Sequence, residues 1–210
     1  MNPPSDYKLS TTAYYDTHVV EYCRNTVSTD MSALYAPFLC EIPAHGRILD
    51  VGCGSGRDSL AFLKAGYEVV PIDGSPEMVT ATSKLTGTSA RVLAFDEIEF
   101  KREFDGIWAC ASLLHVARRD LDAVFVRLTK ALKPEGVLYF SCKYGDAERF
   151  EHGRFFNDMN EDLLKSLILH HSGLEILDLW ITDDVRNERR GAQQWLNALV
   201  RLSRERGAEV

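Results

Sequence analysis

Ile48-Leu49-Asp50-Val51-Gly52-Cys53-Gly54-Ser55-Gly56-Arg57 is the stretch whose reading decides the fold. It reads as a buried strand, Arg47–Val51, that carries an acid near its end and breaks into a glycine loop opening a helix. Glycine is needed where the backbone takes positive φ or lies against a ligand. A strand, a glycine turn and a helix N-terminus together form a nucleotide-type site at the carboxyl edge of a parallel sheet. The dinucleotide pattern G-x-G-x-x-G puts a pyrophosphate on the helix N-terminus. Here the glycines are 52, 54 and 56, and the third position of that pattern falls on Arg57. Asp50 at the entrance repels a diphosphate and suits a ligand with a positive group.

Working outward, strand and helix signals alternate. Ser10 caps an expected helix from Thr11 to Val27, after a tail over residues 1–10, and Asp30 caps one from Met31 to Glu41. After the glycine loop come a helix at Arg57–Ala65 and a strand at Tyr67–Ile72. Ser75-Pro76-Glu77 then starts a helix with a capping serine, a first-turn proline and an acid at the positive end of the dipole. Strands follow at Arg91–Ala94 and Phe104–Cys110. A helix over Asp120–Leu132 and a turn at Lys133–Gly136 lead to a strand at Val137–Cys142. A helix over Glu161–His171 precedes two closing strands, Leu174–Thr182 and Gln193–Leu202. Such alternation predicts a parallel sheet, and two closing strands with no helix between them predict a hairpin. The expectation is an α/β, Rossmann-like sheet of seven mostly parallel strands with an antiparallel last strand and helices on both faces. It forms one domain over 1–210, with a helical lid at 1–44, a cofactor half at 45–142 and an acceptor half at 143–210.

The run from Ile48 to Gly56 resembles motif I of the class I S-adenosylmethionine (SAM)-dependent methyltransferases, whose usual form is close to (I/L)-L-D-x-G-C-G-x-G. Asp73, at the end of the second strand, resembles their motif II acid, and an acid there reaches ribose hydroxyls in doubly wound folds. Phe104-Asp105-Gly106-Ile107-Trp108-Ala109-Cys110-Ala111-Ser112-Leu113-Leu114-His115-Val116 resembles motif IV of the small-molecule branch. Within the class the chain is similar to compact bacterial enzymes, including those of the tellurite-resistance type, although no residue singles out tellurite. The resemblance implies SAM as cofactor and S-adenosylhomocysteine (SAH) as product. It implies a cofactor site made of Asp50, Gly52, Cys53, Gly54, Ser55, Gly56, Asp73, Gly74 and Ser75. Met78 is an apolar cover for the adenine, Phe95 and Asp96 meet its ring and amino group, and Cys110 and Ala111 lie beside the methionine part. The (D/N/S)-P-P-(Y/F) signature of amino-methylating DNA enzymes is absent, so DNA is not an expected partner.

On the acceptor side, methyl transfer needs alignment, water exclusion and, where the nucleophile is protonated, a base. His115 is the candidate base; the alternative is a helix-end histidine that packs beside the cofactor. Lys143, Tyr144, Arg149, Arg154, Trp180, Arg186, Arg189 and Arg190 fall in segments that this fold brings to one sheet edge. Arginine forks suit carboxylates and phosphates, so an anionic, aromatic small acceptor is one reading. A solvated loop paired with Asp183, Asp184 and Glu188 is the other. Tyr14 and Tyr15 are placed to close the pocket from the first helix.

Composition bounds these readings. The chain has 210 residues, 45% hydrophobic and 26% charged, with 24 Lys+Arg against 31 Asp+Glu and a net charge of −7. That balance argues against a general nucleic-acid surface. No run approaches a membrane span and no signal peptide is visible. The five cysteines, Cys23, Cys40, Cys53, Cys110 and Cys142, show no C-x-x-C spacing, so no metal site is expected and a cytoplasmic setting fits. A SAM-dependent methyltransferase of a small molecule, monomeric or weakly dimeric, is the resulting expectation. A non-catalytic SAM-binding module and an RNA or protein methyltransferase are its alternatives.

Overall fold

The computed structural model describes residues 7–185 and 193–203. Seven strands form one sheet: β1 (Arg47–Val51), β2 (Glu68–Asp73), β3 (Arg91–Val92), β4 (Phe104–Ala109), β5 (Leu132–Lys143), β8 (Leu174–Asp183) and β9 (Gln194–Leu202). Their order is β3-β2-β1-β4-β5-β9-β8. The pairings from β3 through to β5 are parallel, and β9 runs antiparallel to both β5 and β8. The order reverses between β1 and β4, the switch point at which open α/β sheets bind ligands.

Period-two alternation sends β1 and β4 side chains to two separate cores. Ile48, Trp108 and Tyr139 meet α2 (Ser32–Leu39) and α3 (Arg57–Lys64) on one face. Leu49, Ile107 and Phe140 meet α5 (Arg118–Ala131) and α6 (Glu161–His170) on the other. Both faces are thus covered, as a parallel sheet requires. No described helix is long and apolar enough to cross a membrane.

Four features depart from the sequence reading. The first helix, α1, starts at Tyr7 rather than Thr11 and runs to Thr26. Tyr7 is buried and its hydroxyl donates to Asp120 at 2.8 Å while accepting from the amide of Ala117. The turn Lys133–Gly136 is a bulge within β5, where the register on β4 jumps from Phe104↔Leu132 to Gly106↔Val137. β3 is only two residues long. A second sheet, the hairpin β6 (Glu148–Glu151) and β7 (Arg154–Asn157), was not anticipated. It packs under α1, where the amide of Phe155 donates to the hydroxyl of Thr11 at 3.1 Å.

Candidate active site

The glycine loop leaves β1 with φ of 77° at Gly52, 53° at Gly54 and 78° at Gly56. At Gly52 the reason is also spatial: a Cβ there would lie 2.5 Å from that of Ser112. α4 (Pro76–Thr86) starts as the sequence implies, with Ser75 accepting from the amide of Met78 at 3.1 Å. The same hydroxyl donates to Asp16 of α1 at 2.5 Å, fastening α1 across the carboxyl ends of the strands. Ala111, just past β4, has φ of 52°, and its amide donates to Ser141 at 2.9 Å. A strained non-glycine position of this kind is held by its surroundings and is common at functional sites.

Under α1 lie two cavities that share Tyr15, Tyr22, Ala111 and His115 as walls. The smaller, about 540 Å³, is bounded by Gly52, Gly54, Asp73, Gly74, Ser75, Met78, Phe95 and Ser112. Asp73 accepts from the amides of Gly54 and Ser75, both at 2.9 Å. Burial pushes its carboxyl up, and those amides pull it back. A carboxylate has about four lone-pair sites, and with the amide of Gly74 also acting on this one, capacity for a hydroxyl donor remains. The hydroxyl of Ser112 is buried without a hydrogen-bond partner. The larger cavity, about 880 Å³, is lined by Cys110 and Ser141 and by the side chains of Arg57, Lys143, Arg154, Phe156, Trp195 and Asn197. Thr182, Asp183 and Asp184, at the end of β8, complete an acidic side.

His115 stands on the shared wall. Its Nδ1 lies 2.7 Å from the carbonyl of Phe155, and its Nε2 lies 2.8 Å from the Tyr15 hydroxyl. A carbonyl only accepts, so Nδ1 carries the proton and Nε2 takes the hydrogen bond of Tyr15. Burial lowers the imidazole to about 4, with Arg154 and Lys143 acting in the same direction. Burial raises the Tyr15 phenol, and Arg154 opposes that rise. The guanidinium of Arg154 lies 4.2 Å from the Tyr14 ring centroid and 5.1 Å from that of Phe156. Lys143 Nζ sits 4.0 Å from the Phe156 centroid.

The structure brings fewer of the expected residues together than the sequence implies. Asp50 is buried against α3, accepts from Ser59 at 2.5 Å and lines neither cavity. Its side chain leaves β1 on the face of Ile48, toward α3. Cys53, Ser55 and Gly56 shape the loop without reaching a cavity wall; Ser55 accepts from Thr26 at 3.1 Å. Asp96 sits in a half-exposed turn paired with Lys8 at 2.7 Å, which holds its carboxyl low, so only Phe95 of that pair faces the cavity. Tyr144 follows Lys143 and points to the opposite face, where it donates to Glu161 at 3.0 Å. Trp180 shares a strand face with Thr182 but lies roughly 7 Å further from the strand end, packed near Tyr139. Tyr14 lines neither cavity; it packs behind Arg154 and Tyr15, which do line the larger one. Arg186, Arg189 and Arg190 lie outside the described residues. Sequence reasoning missed Tyr22, Arg57, Ser112, Ser141 and Asn197; the glycine loop and motif IV run past two of these, Arg57 and Ser112, and only the topology finds the others.

Residues 48–136 match a family described as a methyltransferase domain. Over that segment the chain is similar to methyltransferase domains, and its sheet has the fold of SAM-dependent methyltransferases. The chain is 31% identical over 131 residues to a putative methyltransferase, YqeM, of Bacillus subtilis, covering 58% of this chain and 53% of that one. The chain spans about half the length of that relative and of a ubiquinone biosynthesis O-methyltransferase of Xanthomonas axonopodis that it also matches. Its fold is that of the 1,6-didemethyltoxoflavin-N1-methyltransferase of Burkholderia thailandensis, solved with that acceptor and SAH. The TM-score is 0.77 at 21% identity, over 97% of this chain and 92% of the other. The same fold is also that of the [4+2]-cyclase SpnF, at TM-score 0.71, 18% identity, 97% and 98% coverage. Fold alone therefore does not assign the chemistry, and the site must.

Proposed function

We propose that this chain binds SAM and transfers its methyl group to a small acceptor bearing an ionisable O–H or N–H. The observation that carries the reading is the hydrogen-bonded pair Tyr15–His115 on the wall between the two cavities. The smaller cavity fits a nucleoside. Met78 and Phe95 offer apolar contact to a base, Asp73 keeps acceptor capacity for a ribose hydroxyl, and the unpartnered Ser112 hydroxyl suits a close polar ligand. When bound, SAM supplies an electrophilic methyl group on a positively charged sulfur.

The residues of the chain do the rest. Tyr15 and His115 form a proton path: an acceptor hydrogen-bonded to the Tyr15 oxygen passes its proton there as the phenol proton moves to His115 Nε2. The Phe155 carbonyl fixes the tautomer that keeps Nε2 open. A base with its conjugate acid near 4 is weak, so the path favours acceptors whose own acidity is raised. Arg154 and Lys143 supply that: cations beside the pocket stabilise an acceptor anion, and Phe156 and Trp195 offer it flat apolar surface. An anionic or acidic planar molecule is the acceptor class this favours, against a macromolecule on a chain of net charge −7.

The experiment is transfer of labelled methyl from SAM across a panel of acidic phenols, enols and heteroaromatic N–H compounds. Product formation that drops by about a hundredfold in Tyr15→Phe, with SAH affinity retained, is expected for a proton path worth the usual range of general base catalysis. Tight SAH binding with no transfer to any compound would instead mark a binding module.

A further inference from the structure

The tautomer of His115 is set by the hydrogen bond that its Nδ1 makes to the Phe155 carbonyl. That carbonyl belongs to the β6–β7 hairpin. Both main-chain polar groups of Phe155 serve other elements: its amide donates to Thr11 of α1 at 3.1 Å, and its carbonyl lies 2.7 Å from His115 Nδ1. The hairpin itself is a two-stranded sheet of four-residue strands. Such a unit is marginal on its own. Holding one of its carbonyls within hydrogen-bond reach of an imidazole therefore takes anchors from outside the pair of strands.

Two side chains that line neither cavity supply them, Asn157 and Arg118. Asn157 ends β7 two residues after Phe155 and is fully buried. Its Nδ2 donates to the carbonyl of Val116, the residue after His115, at 3.2 Å, and its Oδ1 accepts from Arg118 Nη2 at 3.1 Å. A carbonyl only accepts and a guanidinium only donates, so one orientation of the Asn157 amide satisfies both. Arg118 Nη2 also lies 3.1 Å from the Asp146 carbonyl and 3.4 Å from that of Asp158. The Arg118 amide donates to the Glu148 carboxylate at 2.7 Å. Residues before, within and after the hairpin are thus tied to Val116 and Arg118, directly beyond His115. The hairpin and the histidine are locked to each other through side chains, at a fixed offset.

We propose that Asn157, locked by Arg118, is the positioning residue that keeps the Phe155 carbonyl on His115 Nδ1 and so keeps Nε2 open to the Tyr15 proton. This rests on the proton path proposed above. Free neutral imidazole favours the opposite tautomer, with its proton on Nε2, so a slipped anchor returns the ring to that form. Nε2 then donates to Tyr15 and takes no proton from it. The test is nitrogen-15 NMR of His115 in the ligand-free protein at pH 7, where the buried ring is neutral, its signals assigned by their loss in His115→Gln. The wild type is expected to carry the proton on Nδ1. Asn157→Asp, ionised beside Arg118, keeps the shape and the bond from Arg118 but has no donor for Val116. It should move His115 toward the Nε2–H form and lower methyl transfer by about tenfold or more, with SAH affinity within about threefold of wild type. Arg118→Met should shift the tautomer in the same direction, and Arg118→Lys, which returns a donor, should shift it less. Should Asn157→Asp not fold, the two Arg118 variants decide. An unchanged tautomer in folded Asn157→Asp or Arg118→Met overturns the proposal even where transfer falls, because a merely structural role lowers activity without moving the ring proton. A wild-type protein with the proton on Nε2 overturns the proton path itself.

Discussion

Burial moves His115 away from the titration that free histidine shows near neutrality. Its folded value is about 4 against about 6.5 when unfolded. Between those values the unfolded chain binds more protons, so stability rises with pH from about 4 to about 6.5 and is lost as pH falls through that window. The full difference amounts to about 3 kcal/mol. Urea unfolding at pH 4.5 and pH 7 should therefore show wild type losing stability on acidification that His115→Gln does not lose. Asp50 works with the opposite sign. Burial, aided by neighbouring Asp58, raises its carboxyl, so the folded chain keeps a proton that the unfolded chain releases. Stability then falls as pH rises through the interval above the ordinary carboxylate value. Asp50→Asn, neutral throughout, should flatten that fall in pH-dependent melts and leave SAH affinity within about threefold, because Asp50 reaches no cavity wall. A large loss of SAH binding in this variant would restore the sequence reading of Asp50 as a ligand contact. Asp73→Ala is expected to weaken SAH by about ten- to a hundredfold through lost ribose bonds. It should also destabilise the fold by about 1–3 kcal/mol, because the Gly54 and Ser75 amides lose their acceptor. Calorimetry and denaturant melts separate the two effects.

At the scale of elements, α1 and the β6–β7 hairpin complete a site that the sheet only begins. The glycine loop offers the sharpest test. Gly52→Ala adds a Cβ at positive φ and 2.5 Å from another Cβ, so it should cost about 1–3 kcal/mol and abolish SAH binding. A folded variant with unchanged SAH affinity would remove the loop from the site. The β1 loop, the β2 acid and the Ser75 cap were legible because each is local: a few adjacent residues state a turn, a strand end or a helix start. Asp96 misled because the acid's pairing depends on Lys8, 88 residues away. Trp180 and Tyr144 misled because strand parity and distance from the strand end, not sequence proximity, decide which cavity a side chain meets. The hairpin escaped notice because Glu148–Glu151 and Arg154–Asn157 are four-residue strands with no apolar alternation strong enough to read. Tyr15 was anticipated as a pocket residue, whereas its bond to His115, 100 residues apart, belongs to tertiary structure alone.

For the molecule as a whole, ligand and fold are linked through mass action. SAH at a hundredfold excess over its Kd should add about 2.7 kcal/mol, which for a chain of this size corresponds to a rise in Tm of about 5–11 °C. NAD at matched concentration should give no rise; a larger shift with NAD would overturn the cofactor assignment. The sheet order, the reversed β9 and the two cores follow from alternation that the sequence displays openly, while the larger cavity is assembled from the ends of β5, β8 and β9 and from a hairpin that none of them implies. One detail of that hairpin reaches further. The group that fixes the His115 tautomer is the Phe155 carbonyl, part of the main chain, and substitution cannot delete it. The flanking residues, Arg154 and Phe156, line the larger cavity and are open to substitution. Substitutions at these two hairpin positions would therefore reshape the cavity wall one residue at a time, while the main-chain bond that orients His115 is inherited intact.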